Sequence, residues 1–208
     1  MSGSMKKGGL IHDAAVLFVI TVIAALALGF VYELTKDPIE QAQAQAKIDA
    51  YRAVFPDMYD MKSPKDQEAV LERANASLSA DKAFEGVVID EILEAQDGSG
   101  NLIGWVMTVT SSKGYGGNIT MTVGVGTTGV LHGVEFLSLS ETPGLGMNAK
   151  EEGFKSQFRE AKVGQYSLAK RNISGDTEIN AISSATITTT AVTRSVNAAL
   201  KTASDLAF

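Results

Sequence analysis

The chain has 208 residues, 45% of them apolar, with 24 acidic against 18 basic residues and a net charge of −6. That length holds one ordinary domain plus an appendage, and the acidic balance excludes the basic face of a nucleic-acid binder. With no cysteine and two histidines, His12 and His132, disulfides, thiolate nucleophiles, chain-held iron–sulfur clusters and a histidine-rich metal centre are excluded, so any redox chemistry must borrow an organic cofactor.

From Ala14 to Tyr32 the sequence AAVLFVITVIAALALGFVY has no ionisable group except the terminal tyrosine. About 19 residues at roughly 1.5 Å each approach the ~30 Å of bilayer hydrocarbon. Lys6 and Lys7 precede the run, and Glu33, Lys36, Asp37 and Glu40 follow it. The positive-inside bias then predicts a single-pass helix with a cytoplasmic N-terminus and everything after Tyr32 outside. A cleaved signal peptide is the alternative, since Ala25-Leu26-Ala27 resembles a cleavage signature. A buried core helix is a third reading. Ala24, Ala25, Ala27 and Gly29 suit either close helix packing or lipid contact.

Thr35-Lys36-Asp37-Pro38 is expected to end this run. A new segment starts there, and Ile39 to Val54 reads as a helix emerging from the membrane, stopped at Phe55-Pro56. Residues 57–85 are polar and weakly patterned, with a short helix expected around Asp66 to Arg73. Strand signals follow at Val87–Ala95, Leu102–Thr110, Ile119–Val125 and Val130–Leu139, separated by turn-forming stretches. Neighbouring strands joined by tight turns predict an antiparallel sheet. Helices are expected over Lys150–Glu160 and Ala185–Ala203. The Asn-x-Ser/Thr triplets at Asn75, Asn118 and Asn172 are of the kind expected by chance. The predicted fold class is α+β: one N-terminal transmembrane helix, then a single antiparallel-sheet domain with flanking helices. Its expected divisions are 1–13 (cytoplasmic N-terminus), 14–32 (transmembrane), 33–85 (helical connector and start of the exterior domain) and 86–208 (sheet domain).

Two stretches carry candidate chemistry. Asn180 to Thr190 (NAISSATITTT) lies at the start of the last helix, where unpaired amides and the helix dipole favour an anion such as phosphate. The plain alternative is that Ser183 or Ser184 simply caps the helix. β-Branched threonine is a mediocre helix former, so the Thr density asks for a reason. The second stretch, Glu141-Thr142-Pro143-Gly144-Leu145-Gly146, follows a strand and carries a type II turn signal. Here the alternative is an ordinary strand-to-helix connection. No acid–base dyad, nucleophile–base pair or nicotinamide fingerprint is evident, so no catalytic residue and no metal ligand is predicted.

Ser183-Ser184-Ala185-Thr186 resembles the Ser/Thr-Gly-Ala-Thr flavinylation motif of the FMN-binding domain family. Glu141–Gly146 resembles that family's second signature, in the same order, and the Gly114-Tyr115-Gly116-Gly117 loop is similar too. One membrane helix followed by such a domain is the layout of Rnf-complex G subunits and of the C subunits of sodium-pumping NADH:quinone oxidoreductases. The resemblance implies FMN joined by a phosphoester to Thr186, installed from FAD by a separate flavin transferase. It makes Ser183, Ser184, Ala185, Thr188 and Gly144 cofactor-binding residues, and sets Glu141, Thr142 and Leu145 against the ring with Tyr115 beside it. The implied role is electron relay within an Na⁺- or H⁺-translocating ferredoxin:NAD oxidoreductase. Partners would be a second flavin subunit, iron–sulfur subunits, other membrane subunits and the lipid bilayer. The quinone-reductase subunit and a flavin-free membrane-anchored assembly domain stand as alternatives. Two positions depart from the motif: its glycine is Ser184 here, and an aspartate often found three residues before the motif's first Ser/Thr is Asn180.

Overall fold

Leu17, Phe18, Ile20, Ile23, Leu26, Leu28 and Phe30 point to every side of their helix, and all are exposed. A helix apolar all round with nothing covering it suits a lipid environment rather than water. In the computed structural model, which describes residues 7–160, 164–169 and 177–207, this helix is α1 (Lys7–Val54). It is long and apolar enough to cross a membrane. Lys6 and the Asn172 triplet lie outside the described residues.

The predicted break at Thr35–Pro38 is absent, because α1 continues through Pro38. Proline already holds a helical φ, so continuation costs mainly one amide donor and local crowding. The Ala-, Gln- and Lys-rich residues that follow favour helix strongly. The Thr35 hydroxyl donates to the carbonyls of Val31 (2.9 Å) and Tyr32 (3.3 Å), using the polar group without ending the helix.

The chain divides into two compact units, Met1–Ala46 and Lys47–Phe208. The second is built on a five-stranded antiparallel meander in the order β1-β2-β3-β4-β5. Its strands are β1 (Asp60–Lys62), β2 (Val87–Gln96), β3 (Leu102–Ser111), β4 (Ile119–Gly126) and β5 (Leu131–Leu139). The four strands expected from the sequence are present; β1, only three residues long, lies in the weakly patterned stretch. At the β2–β3 turn the Asp97 carboxylate accepts from the amides of Ser99 and Asn101 and from the Asn101 side chain.

One face of the sheet buries Ile89, Ile92, Met107, Val109, Met121 and Val123 against two helices. These are α2 (Gln67–Ser79), longer than the helix expected there, and α4 (Thr186–Leu206), close to its predicted span. Asn75 ties α2 to β2: its amide donates to the Ile89 carbonyl and its oxygen accepts from the Ile89 amide, both at 2.9 Å.

On the opposite face the last turn of α1 seats Tyr51, Val54 and Phe55 beside Ala95 and Val106. Val106 pairs with Gly124 and Gly124 with Gly133, so the row that meets Val54 has no side chains on β4 and β5. A Cβ on Gly124 would run into the Val54 carbonyl oxygen. The adjacent row is polar: Glu91, Thr108, Thr122 and Glu135 pair in sequence across β2 to β5. Lys47 holds Glu91 at 2.7 Å and Lys155 holds Glu135 at 2.6 Å, closing both ends of the row. The Tyr51 hydroxyl donates to Glu91 and lies 3.1 Å from the Thr108 hydroxyl.

The helix predicted over Lys150–Glu160 is instead three short turns. A 3-10 turn spans Gly146–Lys150, α3 spans Glu152–Lys155 and a second 3-10 turn spans Ser156–Phe158. Glu151 is extended (ψ 142°), which stops the first turn. Phe154 and Phe158 anchor these turns in the core, and Phe158 meets Tyr166 edge to face at 5.3 Å. A two-stranded parallel pair, β6 (Ser167–Leu168) and β7 (Glu178–Ile179), completes the second unit's strands.

Tyr166 is 2% exposed, and its hydroxyl has no partner among the described residues. Burial pushes that hydroxyl up to about 12. The raised value favours the neutral form in the folded chain, so this stabilisation is intact below pH ~10 and is lost as pH rises towards ~12. Integrated over that window the loss is about 2–3 kcal/mol. Tyr166→Phe is expected to flatten the fall in melting temperature between pH 9 and 11 and to leave neutral-pH stability equal or slightly higher, as followed by circular dichroism.

Candidate cofactor-binding site

After β5 the chain turns back through the Glu141–Gly146 segment. Gly144 takes φ +75°, the left-handed position a type II turn reserves for glycine. The amides of Leu145 (3.1 Å) and Met147 (3.2 Å) both donate to the Thr142 carbonyl, and the Asn148 side chain donates to the Gly144 carbonyl (3.1 Å). Glu141 is 7% exposed, and its Oε1 accepts from the Tyr115 amide at 2.9 Å, tying the β3–β4 loop to this turn. A Cβ on Gly146 would stand 2.7 Å from both Glu141 Oε2 and the Thr188 hydroxyl. The absent side chain at Gly146 therefore lets the turn and the start of α4 close on each other.

The start of α4 answers the question its threonines raise. Thr189 (2.9 Å), Thr190 (2.7 Å) and Thr193 (2.8 Å) each donate to the carbonyl four residues earlier, as Ser195 does (3.0 Å). The Thr189 hydroxyl also accepts from the Ile182 amide at 3.1 Å, folding the preceding loop onto the helix. Among the described residues no such bond engages the hydroxyls of Thr186 or Thr188. The capping position is Ala185, without a side-chain cap, so neither Ser183 nor Ser184 caps the helix. The first-turn amides are left without a capping side chain, the arrangement that suits an anion.

Ser184 has φ +58°, left-handed backbone in a non-glycine residue. It stands where the resembled motif has glycine, so the departure keeps the conformation at a cost of about 1 kcal/mol. Ser184→Gly is expected to raise the melting temperature by a few degrees, measured by thermal unfolding, while leaving the site open.

These segments converge on a cavity of about 470 Å³ lined by Tyr115, Glu141, Thr142, Leu145, Gly146, Ser184, Ala185, Thr186, Ile187 and Thr188. Eight of the ten residues singled out from sequence line it. Ser183 is exposed on the loop outside the lining, and Gly144 shapes the turn without lining the space. Gly146 and Ile187 line the cavity although they were not singled out; the second glycine of the turn was the available signal for Gly146. Tyr115, Leu145 and Ile187 are exposed apolar side chains at its rim, while Glu141 and Thr188 are buried polar groups. An apolar slot with a few fixed polar groups and a hydroxyl at a helix start fits a planar heteroaromatic that carries a phosphate.

The FMN-binding domain family matches residues 114–201, and the RnfG N-terminal region matches residues 1–54. The chain is 30% identical over 191 residues to the G subunit of the Na⁺-translocating ferredoxin:NAD⁺ oxidoreductase complex of Acetobacterium woodii, covering 89% of this chain and 87% of that protein. Over 185 residues it is 27% identical to the G subunit of the ion-translocating oxidoreductase complex of Methanosarcina acetivorans, covering 88% and 89%. The chain therefore belongs to the G-subunit family of ion-translocating ferredoxin:NAD⁺ oxidoreductase complexes. The crystal structure of Shewanella oneidensis NqrC aligns with 76% of the chain and 73% of that protein, at 18% identity and a TM-score of 0.49.

Proposed function

We propose that the protein is the membrane-anchored electron-transfer subunit of an ion-translocating ferredoxin:NAD⁺ oxidoreductase complex, and that its carrier is FMN esterified through phosphate to Thr186. One observation carries this reading: two motifs far apart in sequence, with Tyr115 between strands, close around one cavity that reaches the exposed Thr186 hydroxyl. When bound, FMN supplies one- and two-electron redox chemistry. Tyr115, Leu145 and Ile187 would cover the ring's apolar faces, while Glu141 and Thr188 offer an acceptor and a hydroxyl to its polar edge. Ser183, Ser184 and Ala185 present the loop from which Thr186 emerges, and Gly144 sets the turn that carries Leu145.

α1 would fix the carrier beside its redox partners, converting encounters between subunits into effectively intramolecular ones. The charge bias around residues 14–32, with Lys6 and Lys7 on one side, favours a cytoplasmic N-terminus and a flavin domain on the outer face. A second flavin subunit and iron–sulfur subunits are the proposed partners, with a flavin transferase for maturation.

Intact-mass spectrometry of the denatured chain, co-expressed with a flavin transferase, tests the reading. A mass gain matching one FMN phosphodiester, mapped to the peptide containing Thr186, is the expected result. An unmodified chain from a host that flavinylates other proteins overturns it.

A further inference from the structure

Thr186 and Ile187 line two spaces. One is the cavity already described; the other is a groove of about 290 Å³ lined also by Lys113, Thr190, Ala191 and Arg194. The groove follows from helix geometry. Thr186, Thr190 and Arg194 recur at intervals of four, so they stack along one face of α4. Lys113 comes from the β3–β4 loop, two residues before Tyr115, which lines the ring cavity. The loop that supplies a wall to one space thus supplies a cation to the other.

The charges in this groove do not balance. Lys113 Nζ lies 2.7 Å from Glu85 Oε1. The Lys113 hydrogen bond, with the Lys113 and Arg194 charges, holds the Glu85 carboxyl below its usual range, so both cations share this one acidic neighbour. Arg194 makes no hydrogen bond or ion pair among the described residues. Glu141, the acid that lines the adjoining cavity, is buried and bonded to the Tyr115 amide. Two cations against one carboxylate leave one positive charge in the groove that Thr186 also lines. A phosphodiester there carries one negative charge.

We propose that Lys113 and Arg194 form a phosphate subsite that holds the flavin nucleotide by its phosphate at Thr186. The inference rests on the flavin reading above and adds to it the residues that recognise the anion. Arg194 offers a planar fork of donors to phosphate oxygens, and Lys113 a mobile point charge that exchanges Glu85 for the ligand. The subsite favours flavin phosphates over uncharged riboflavin before any covalent bond forms, placing the phosphorus near the Thr186 oxygen.

The test uses the full chain in detergent, purified from a host without a flavin transferase so that Thr186 is unmodified. Riboflavin and FMN are titrated separately, and binding is read from flavin fluorescence. FMN is expected to bind about tenfold more tightly than riboflavin, the scale of one or two partly exposed charge-assisted contacts. In the double variant Lys113→Gln, Arg194→Gln that preference is expected to fall below about twofold with riboflavin affinity unchanged, and Lys113→Arg to retain it. Equal affinity of the unsubstituted chain for both flavins overturns the subsite, as does a preference that survives the double substitution. A parallel loss of riboflavin affinity in the double variant marks a structural role and overturns it too. Binding of neither flavin to the unsubstituted chain strikes down the cavity reading itself, and the subsite with it.

Discussion

Replacing Thr186 with valine is expected to abolish covalent flavin, so that the denatured chain shows no fluorescence under ultraviolet light and no added mass. Valine keeps the β-branched shape, and Thr186 is exposed with no hydroxyl bond among the described residues. Stability should therefore stay within about 0.5 kcal/mol of the parent. Electron throughput in the assembled complex should nevertheless fall by about a hundredfold or more, because a tether that supplies millimolar effective concentration is replaced by free cofactor. Thr188→Val is the informative companion. Thr188 is 1% exposed and lines the same cavity, so its loss perturbs the pocket while leaving the attachment oxygen in place. Thr188→Val should remain fluorescent after denaturation. Covalent flavin on Thr186→Val, detected in the same gel, would move the attachment point elsewhere.

Gly124→Val is expected to have the largest effect on folding. Its Cβ would overlap the carbonyl oxygen of Val54 and crowd the Val54 side chain. The obstacle is backbone, so no change of rotamer relieves it. Either α1's last turn lifts away, exposing Tyr51, Val54 and Phe55, or β4 distorts. A loss of about 3 kcal/mol or more follows from overpacking and the forfeited burial together. Thermal unfolding of the full chain in detergent should show a melting temperature lower by about ten degrees or more. Gly129→Ala is the control: a Cβ at that turn position would meet no atom within 4 Å, and only its left-handed φ of +79° resists substitution.

Much of this architecture is legible in the residues. Apolar, β-branched runs bounded by turn-forming stretches mark the four long strands, most plainly in β4, where Ile119, Met121, Val123 and Val125 alternate with threonine and glycine. The two motifs are legible as local turn and helix-start chemistry, but their meeting is not. That meeting depends on Gly146 admitting the Thr188 hydroxyl and the Glu141 carboxylate, a contact between distant segments. Pro38 misleads because proline is read as a breaker, whereas residues on both sides of it favour helix strongly enough to carry α1 through. The Lys150–Glu160 stretch misleads in the other direction. Its composition suits a helix, yet Glu151 is extended and Phe154 and Phe158 are drawn into the core in separate turns. Ser184 does not announce its left-handed backbone by its own residue type; only the glycine at that position of the resembled motif signals it.

The glycine row under Val54 has a consequence for biogenesis. The ribosome makes the last turn of α1 well before it makes Gly124 and Gly133, so this turn leaves the exit tunnel with its landing place still unwritten. Until β2 and β3 are made, Tyr51 and Phe55 lack Ala95, Val106 and Glu91, and until β5 follows, Phe55 lacks the His132 ring that it meets at 4.3 Å, so this turn stands open to proteases and to other nascent chains. Completion of β5, rather than the arrival of the leading segment, is therefore the moment at which this polypeptide becomes resistant to cleavage near Phe55.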